Sequence, residues 1–177
     1  MPTTSAPCSA TAPTSRPTTP QPTGCCRSRP SSSTIRSPRG STPAHYVVAR
    51  LGRLGPTVIL SDGDVVFQPR KVKRSGLWDA VEGRVLIFIH KERMLDTVQR
   101  CYPARGYAMV DDKQRVLTAM KETLGTRLLI VFPRQGHYAH DPANIARYPA
   151  ADVSIDRIGD LLEVDLPSRL DALQETP

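Results

Sequence analysis

Hydroxyl, lysine and carboxylate side chains stand directly after three short apolar runs of this sequence. Ser61, Asp62, Gly63 and Asp64 follow the first run, Lys91 follows the second, and Asp111 and Asp112 follow the third. A serine hydroxyl and a lysine ammonium bind phosphate oxygens, and paired carboxylates suit a hard, octahedral cation such as Mg²⁺. These residue types therefore indicate chemistry on a phosphate group beside Mg²⁺.

Five apolar runs predict the strands that carry these residues. They are Thr57–Leu60, Val85–Ile89, Tyr107–Val110, Leu128–Phe132 and Val153–Ile155. The first four lack polar alternation, which is typical of strands buried on both faces. The amphipathic stretches Lys91–Arg100, Lys113–Leu124 and Asp156–Leu162 predict helices between them. The alternation predicts an α/β fold, a Rossmann-like parallel sheet with helices on both faces, whose carboxyl edge gathers the polar residues.

Charge is distributed unevenly along the chain of 177 residues, which has a net charge of +7. Residues 1–44 hold five arginines, nine of the 17 prolines and no acidic residue, whereas the remainder is nearly neutral. A segment with so little to bury cannot offset the entropy of folding. We therefore predict a disordered tail over 1–44, a folded core over 45–165 and a flexible C-terminal tail over 166–177. The charge of the core gives little reason to invoke nucleic acid.

Several classes of protein are excluded by composition. No apolar run reaches the length of about 18 residues that a membrane span requires, and no secretory leader is visible near the start. Cys101 is the one cysteine beyond residue 44, so a disulfide framework is excluded for the core. We expect a cytoplasmic protein without a membrane partner.

Four segments carry a resemblance to a known family. VILSDGD, KVKRSGLWDAVEGRVLI, IHKERML and YAMVDDK, in this order, resemble the haloacid dehalogenase-like hydrolase superfamily. The resemblance covers roughly Tyr46 to Leu162. Each motif alone is weakly specific, but their order and their positions at successive strand ends strengthen the match.

The resemblance implies a set of roles. Ser61 corresponds to the family's second motif, Lys91 to the third, and Asp111 and Asp112 to the fourth. It implies a Mg²⁺-dependent phosphohydrolase of small phosphorylated metabolites that acts through an aspartyl-phosphate. In that scheme Ser61, Gly63 and Lys91 hold the phosphoryl group, and Asp111 and Asp112 hold Mg²⁺.

The chain departs from the family at the first motif, an Asp-x-Asp after a central strand that should precede Ser61. Residues 1–44 contain no aspartate. Asp62 and Asp64 are an alternative nucleophile and acid/base pair, but too few predicted strands separate them from Asp111. We therefore expect a domain without its central strand, inactive as written, in which the edges of the neighbouring strands are exposed or forced together.

Two further readings remain open at this point. The chain is either a non-catalytic fragment, with a tail that comes from a misread start, or a binding protein whose basic tail contacts nucleic acid. A separate basic cluster, which comprises Arg70, Lys71, Lys73 and Arg74, is interpreted as a solvated helix face rather than an anion-binding patch.

Overall fold

The computed structural model describes residues 42–175, and the predicted disordered tail lies outside this part of the chain except for its last three residues. The α-helices of the described part are α1 Pro43–Leu51, α2 Phe67–Arg74, α3 Leu77–Ala80, α4 Leu95–Cys101, α5 Gln114–Leu124, α6 Pro142–Arg147 and α7 Leu166–Glu175. The strands are β1 Ile59–Asp62, β2 Val85–Phe88, β3 Tyr107–Val110, β4 Leu128–Pro133 and β5 Val153–Ile155. Short 3-10 helices cover Lys91–Arg93, Gly125–Arg127, Tyr138–His140 and Ile158–Glu163.

All strand pairs are parallel, and the strands form two separate sheets. β1 pairs with β2, from Ile59 opposite Val85 to Asp62 opposite Phe88. β3, β4 and β5 form the second sheet in that order. The predicted α/β architecture with parallel pairing is therefore confirmed. β1 extends two residues beyond its predicted end, so Ser61 and Asp62 belong to the strand rather than to the loop after it.

The division between the sheets lies between β1 and β3, where the family resemblance implies a missing central strand. In a parallel pair, alternate residues direct their backbone groups towards the same neighbour. Ile59 donates its N–H group to the carbonyl of Arg84, directly before β2, and Gly63 donates to the carbonyl of Phe88 in β2. Leu60, at the alternate position, therefore directs its backbone groups to the opposite edge of β1. No strand among residues 42–175 pairs with that edge of β1. β1 and β3 are therefore unpaired rather than closed onto each other, which leaves a gap in the backbone hydrogen bonding between them.

The core is organised around β4, all six residues of which are buried. Leu128, Ile130 and Phe132 pack with Leu117 and other side chains of α4 and α5. Leu129 and Val131 point to the opposite face and pack with residues of α1, α7 and the 3-10 helix before α7. Because side chains alternate along a strand, one strand joins two apolar clusters. Helices on both faces are confirmed for this sheet.

Burial on both faces, predicted for the first four strands, is wrong for three of them. Only β4 is buried along its whole length, whereas no residue of β1, β2 or β3 is fully buried. The physical reason is the division of the sheet. β1 and β3 each lack a strand on one edge within the described part of the chain, and β2 is the outer strand of a two-stranded sheet.

The segment 166–177, predicted to be a flexible tail, is instead helical over Leu166–Glu175. Leu166 is buried, and Leu170 and Leu173 pack against the same cluster. Their spacing places them on one helix face, which accounts for the docking. α1 likewise begins before the predicted boundary at residue 45. None of the described helices is long and apolar enough to cross a bilayer.

Candidate functional site

Lys91 lies between the two sheets. It opens the 3-10 helix that follows β2, and it is only 6% exposed. Its ammonium pairs with the carboxylate of Asp111, at the end of β3, and lies 3.4 Å from the carbonyl oxygen of Leu60 in β1. A buried lysine requires such partners because an isolated charge is costly to remove from water. One side chain therefore connects β1 and β3 where no strand does so.

Asp62 is held beside Lys91. Its Oδ1 accepts a hydrogen bond of 2.8 Å from the backbone N–H of Lys91. The neighbouring Ser61 is half-buried, and its hydroxyl makes a long contact of 3.4 Å with the carbonyl oxygen of Asp62. The parallel pairing of β1 with β2 thus brings Ser61, Asp62 and Lys91 to one edge, as the sequence predicts.

Gly63 and Asp64 shape the turn from β1 into α2. Gly63 has φ +138°, and a Cβ there would lie 2.6 Å from Nε2 of Gln68, so the position favours glycine. Oδ1 of Asp64 accepts hydrogen bonds from the N–H groups of Val66 at 2.7 Å and Phe67 at 3.0 Å. Asp64 therefore accepts from the first N–H groups of α2, a structural role that was not predicted from the sequence.

Asp111 and Asp112 lie side by side after β3. The pKa of Asp112 is raised from its usual value, chiefly by burial and then by the charge of Asp111. Asp111 Oδ1 accepts a 2.9 Å hydrogen bond from the N–H of Lys113, while Oδ2 faces Lys91. Gly136, with φ +97°, brings the loop after β4 so close that a Cβ would lie 2.7 Å from Asp112 Oδ2. Lys91 thus contacts Asp111 on one side of the pair, and the backbone at Gly136 approaches Asp112 on the other.

Asp111 and Asp112 provide the number and type of protein ligands that Mg²⁺ commonly uses. Burial and then the neighbouring charge of Asp111 raise the pKa of Asp112, and a bound cation would offset both effects. Mg²⁺ often uses only one or two protein carboxylates and completes its shell with water and substrate phosphate. No cluster of three or more histidine, cysteine, aspartate or glutamate side chains suited to a metal occurs in the described chain. Asp111 and Asp112 are the adjacent carboxylates that could hold such an ion.

Glu92 and Arg115 lie next to this site, and their pairing was not predicted from the sequence. They form an ion pair of 3.0 Å that links the 3-10 helix of Lys91 to α5. Burial acts to raise the pKa of Glu92, but hydrogen bonds from its own backbone and from Arg115 lower it overall. Arg115 also interacts electrostatically with Asp62. The two residues are 23 positions apart, and no local pattern marks such a pair.

No protein-family model and no curated protein matches the chain. A crystal structure at 2.20 Å resolution, of a protein from Burkholderia xenovorans LB400 assigned as a haloacid dehalogenase-like hydrolase, is similar to it. The two share 65% sequence identity with a TM-score of 0.70, over 73% of this chain and 59% of that one. The chain thus spans less than two thirds of the length of this relative.

Proposed function

Because the chain belongs to the haloacid dehalogenase-like hydrolases, we propose that its described domain binds the phosphoryl group of a small phosphorylated metabolite for Mg²⁺-dependent hydrolysis through an aspartyl-phosphate. The observation that carries this proposal is the contact of Lys91 with Asp111 and with the backbone of β1, the strand that also holds Ser61. An ammonium and a carboxylate meet there, and a hydroxyl stands at the end of the adjoining strand, each suited to a different part of a phosphate–Mg²⁺ site.

The described side chains divide the work of holding the phosphoryl group. The Ser61 hydroxyl donates to one phosphoryl oxygen, and the Lys91 ammonium stabilises the charge that develops on the oxygens. Gly63 permits close approach of the backbone because it has no side chain. Mg²⁺, held by Asp111 and Asp112, would neutralise phosphate charge when bound. For Lys91 to serve the substrate, its contact with Asp111 must loosen.

None of the described aspartates next to Ser61 is free to act as the attacking carboxylate. Asp62 is the nearest candidate, but its Oδ1 is held by the N–H of Lys91. Asp64, the partner that would act as acid/base, is engaged at the start of α2. We therefore assign nucleophilic attack to an Asp-x-Asp on a strand that fills the gap between β1 and β3, and not to these two residues.

A phosphatase assay combined with a binding measurement tests this assignment. The full chain with Mg²⁺ and p-nitrophenyl phosphate is expected to show no turnover above buffer, whereas inorganic phosphate should bind, as followed by titration calorimetry. Ser61→Ala should weaken phosphate binding by about tenfold, because one charge-assisted hydrogen bond is lost. Ser75→Ala, on an exposed serine, is the matched control.

Two results would contradict the proposal in different ways. Folded protein that binds no phosphate, with or without Mg²⁺, would refute the phosphate site. Turnover that survives deletion of residues 1–41 and disappears in Asp62→Asn would instead identify Asp62 as the nucleophile and overturn the assignment to a further strand.

A further inference from the structure

Four large apolar side chains are exposed at the carboxyl edge of the β1–β2 sheet. Val65, Val66 and Phe67, at the start of α2, are 65%, 52% and 63% exposed, and Ile89, directly after β2, is 77% exposed. Three of them are consecutive in sequence. Such a concentration is unusual on a protein surface in water and indicates a surface that contacts another phase or molecule.

The same helix carries a row of cations. Phe67, Arg70, Lys71 and Arg74 follow helical spacing and share one face of α2. All four are exposed, and no residue of α2 is buried. Within residues 42–175 no carboxylate lies within ion-pair distance of the three cations. Lys73, beside this row, lies 4.8 Å from the centre of the Trp78 ring.

We propose that the α2 surface, defined as Val65–Phe67 with Arg70, Lys71 and Arg74, binds the face of an anionic lipid bilayer. An apolar cluster continued by unpaired cations on one helix face is the arrangement in which apolar side chains enter the acyl boundary and cations meet lipid phosphates. The apolar cluster favours a bilayer over nucleic acid, since phosphate-backbone binding requires cations but not exposed valine and phenylalanine. This contact needs no membrane span.

Nearby acidic groups leave the charge of this surface positive. Asp64 is exposed but is engaged with the first N–H groups of α2. Glu82 pairs with Arg84 at 2.7 Å. Asp79, on the neighbouring helix α3, is exposed, so Asp64 and Asp79 set two negative charges against the three positive charges of the row. The basic helix face that the sequence left as solvated thus has both the charge and the apolar anchor of a peripheral membrane contact.

Vesicle co-sedimentation of the full chain tests the proposal without any use of catalysis. Vesicles of phosphatidylcholine with about one third phosphatidylserine are compared with pure phosphatidylcholine vesicles at about 0.1 M salt. Binding is expected only to the anionic vesicles. The triple variant Arg70→Gln, Lys71→Gln and Arg74→Gln should lower the partition coefficient on the order of 100-fold, at about 1 kcal/mol for each cation.

A matched variant separates this surface from the overall positive charge of the chain. Arg53→Gln, Arg147→Gln and Arg169→Gln removes the same charge from three exposed positions on other parts of the domain and should change binding far less. The double variant Val66→Asn and Phe67→Ser should weaken binding although every cation is retained. Trp78, the single tryptophan, should be quenched by brominated lipid because it adjoins α2.

Three results would overturn the proposal. One is equal loss of binding in the two triple variants, which would locate the contact outside α2. A second is binding that is indifferent to phosphatidylserine or absent from both vesicle types. The third is a dimer in light scattering that dissociates in the Val66→Asn and Phe67→Ser variant, because the apolar cluster would then be an interface between two copies.

Discussion

The β3–β4–β5 sheet and the β1–β2 sheet are built by the same parallel pairing, yet they differ sharply in burial. Every residue of β4 is buried, with helices packed on both faces. No residue of β1, β2 or α2 is fully buried. The same kind of apolar sequence thus gives a fully buried strand, β4, in one sheet and only half-buried strands in the other.

The difference shows that an apolar run becomes a buried strand only when its neighbours are present. A central parallel strand needs a strand at each edge and a helical layer on each face. β4 has all four neighbours among the described residues, whereas β1 has only β2 as a paired strand. The candidate site lies where the two sheets meet, so its polar groups depend on the sheet that has the weaker support.

The largest expected effect concerns the contact between the sheets. Lys91→Met should lower the free energy of unfolding by about 3–5 kcal/mol, because the buried Asp111 carboxylate loses its ammonium partner. The double variant Lys91→Met and Asp111→Leu should recover much of this loss. Urea unfolding followed by circular dichroism measures both. A double variant no more stable than Lys91→Met would show that the pair is not the source of the effect.

The contrast in burial gives the next prediction. Leu129→Ala in β4 should cost about 2–5 kcal/mol, since it removes a fully buried side chain and leaves a cavity. Leu86→Ala in β2 makes the same chemical change at a half-buried position and should cost about 1 kcal/mol. Chemical denaturation of both variants compares the sheets directly. Equal costs would mean that the β1–β2 sheet is as well packed as its neighbour.

A smaller effect is expected at the entrance to α2. Asp64→Ala should cost about 1 kcal/mol, because two N–H groups at the start of the helix lose their acceptor. Asp171→Ala, which removes an exposed carboxylate from α7, serves as control and should be near neutral. Thermal unfolding distinguishes the two. A lowered melting temperature in the control alone would contradict the role given to Asp64.

The smallest predicted effect depends on pH. The folded state raises the pKa of Asp112 above its usual 3.8, so ionisation of Asp112 disfavours folding at neutral pH. This penalty falls away as pH drops below the unfolded value. Asp112→Asn should therefore stabilise the protein by less than about 1 kcal/mol at pH 7 and by nothing below pH 3.8. Urea midpoints at both pH values provide the test.

The sequence predicted local elements better than their surroundings. Two strands, Tyr107–Val110 and Val153–Ile155, have their predicted bounds, because their apolar runs end abruptly. The segment predicted as a helix over Asp156–Leu162 forms a 3-10 helix over Ile158–Glu163 instead. Its short apolar repeat indicates which side of the helix faces the core, but it does not distinguish an α-helix from a 3-10 helix.

Pairings between distant residues were harder to predict for the candidate site. Ser61, Lys91 and Asp111 were singled out by their positions at strand ends, and Lys91 joins Asp111 across the boundary between the two sheets. The pair of Glu92 with Arg115 and the engagement of Asp64 at α2 depend on side-chain directions that no periodicity encodes. The docking of α7 was missed because Leu166, Leu170 and Leu173, although at helical spacing, stand in a short and otherwise mostly polar segment.

The open edge of β1 should be visible in amide hydrogen exchange. Ile59 and Gly63 donate their amides to backbone carbonyls on the β2 side and should exchange slowly. Leu60 and Asp62 lie at alternate positions and face the gap, so their amides should exchange at close to the rate of an open chain. Fast and slow amides would then alternate residue by residue along one strand. A strand that paired with this edge would slow exchange of the Leu60 and Asp62 amides and leave the Ile59 and Gly63 amides unchanged. This result would not depend on any catalytic activity.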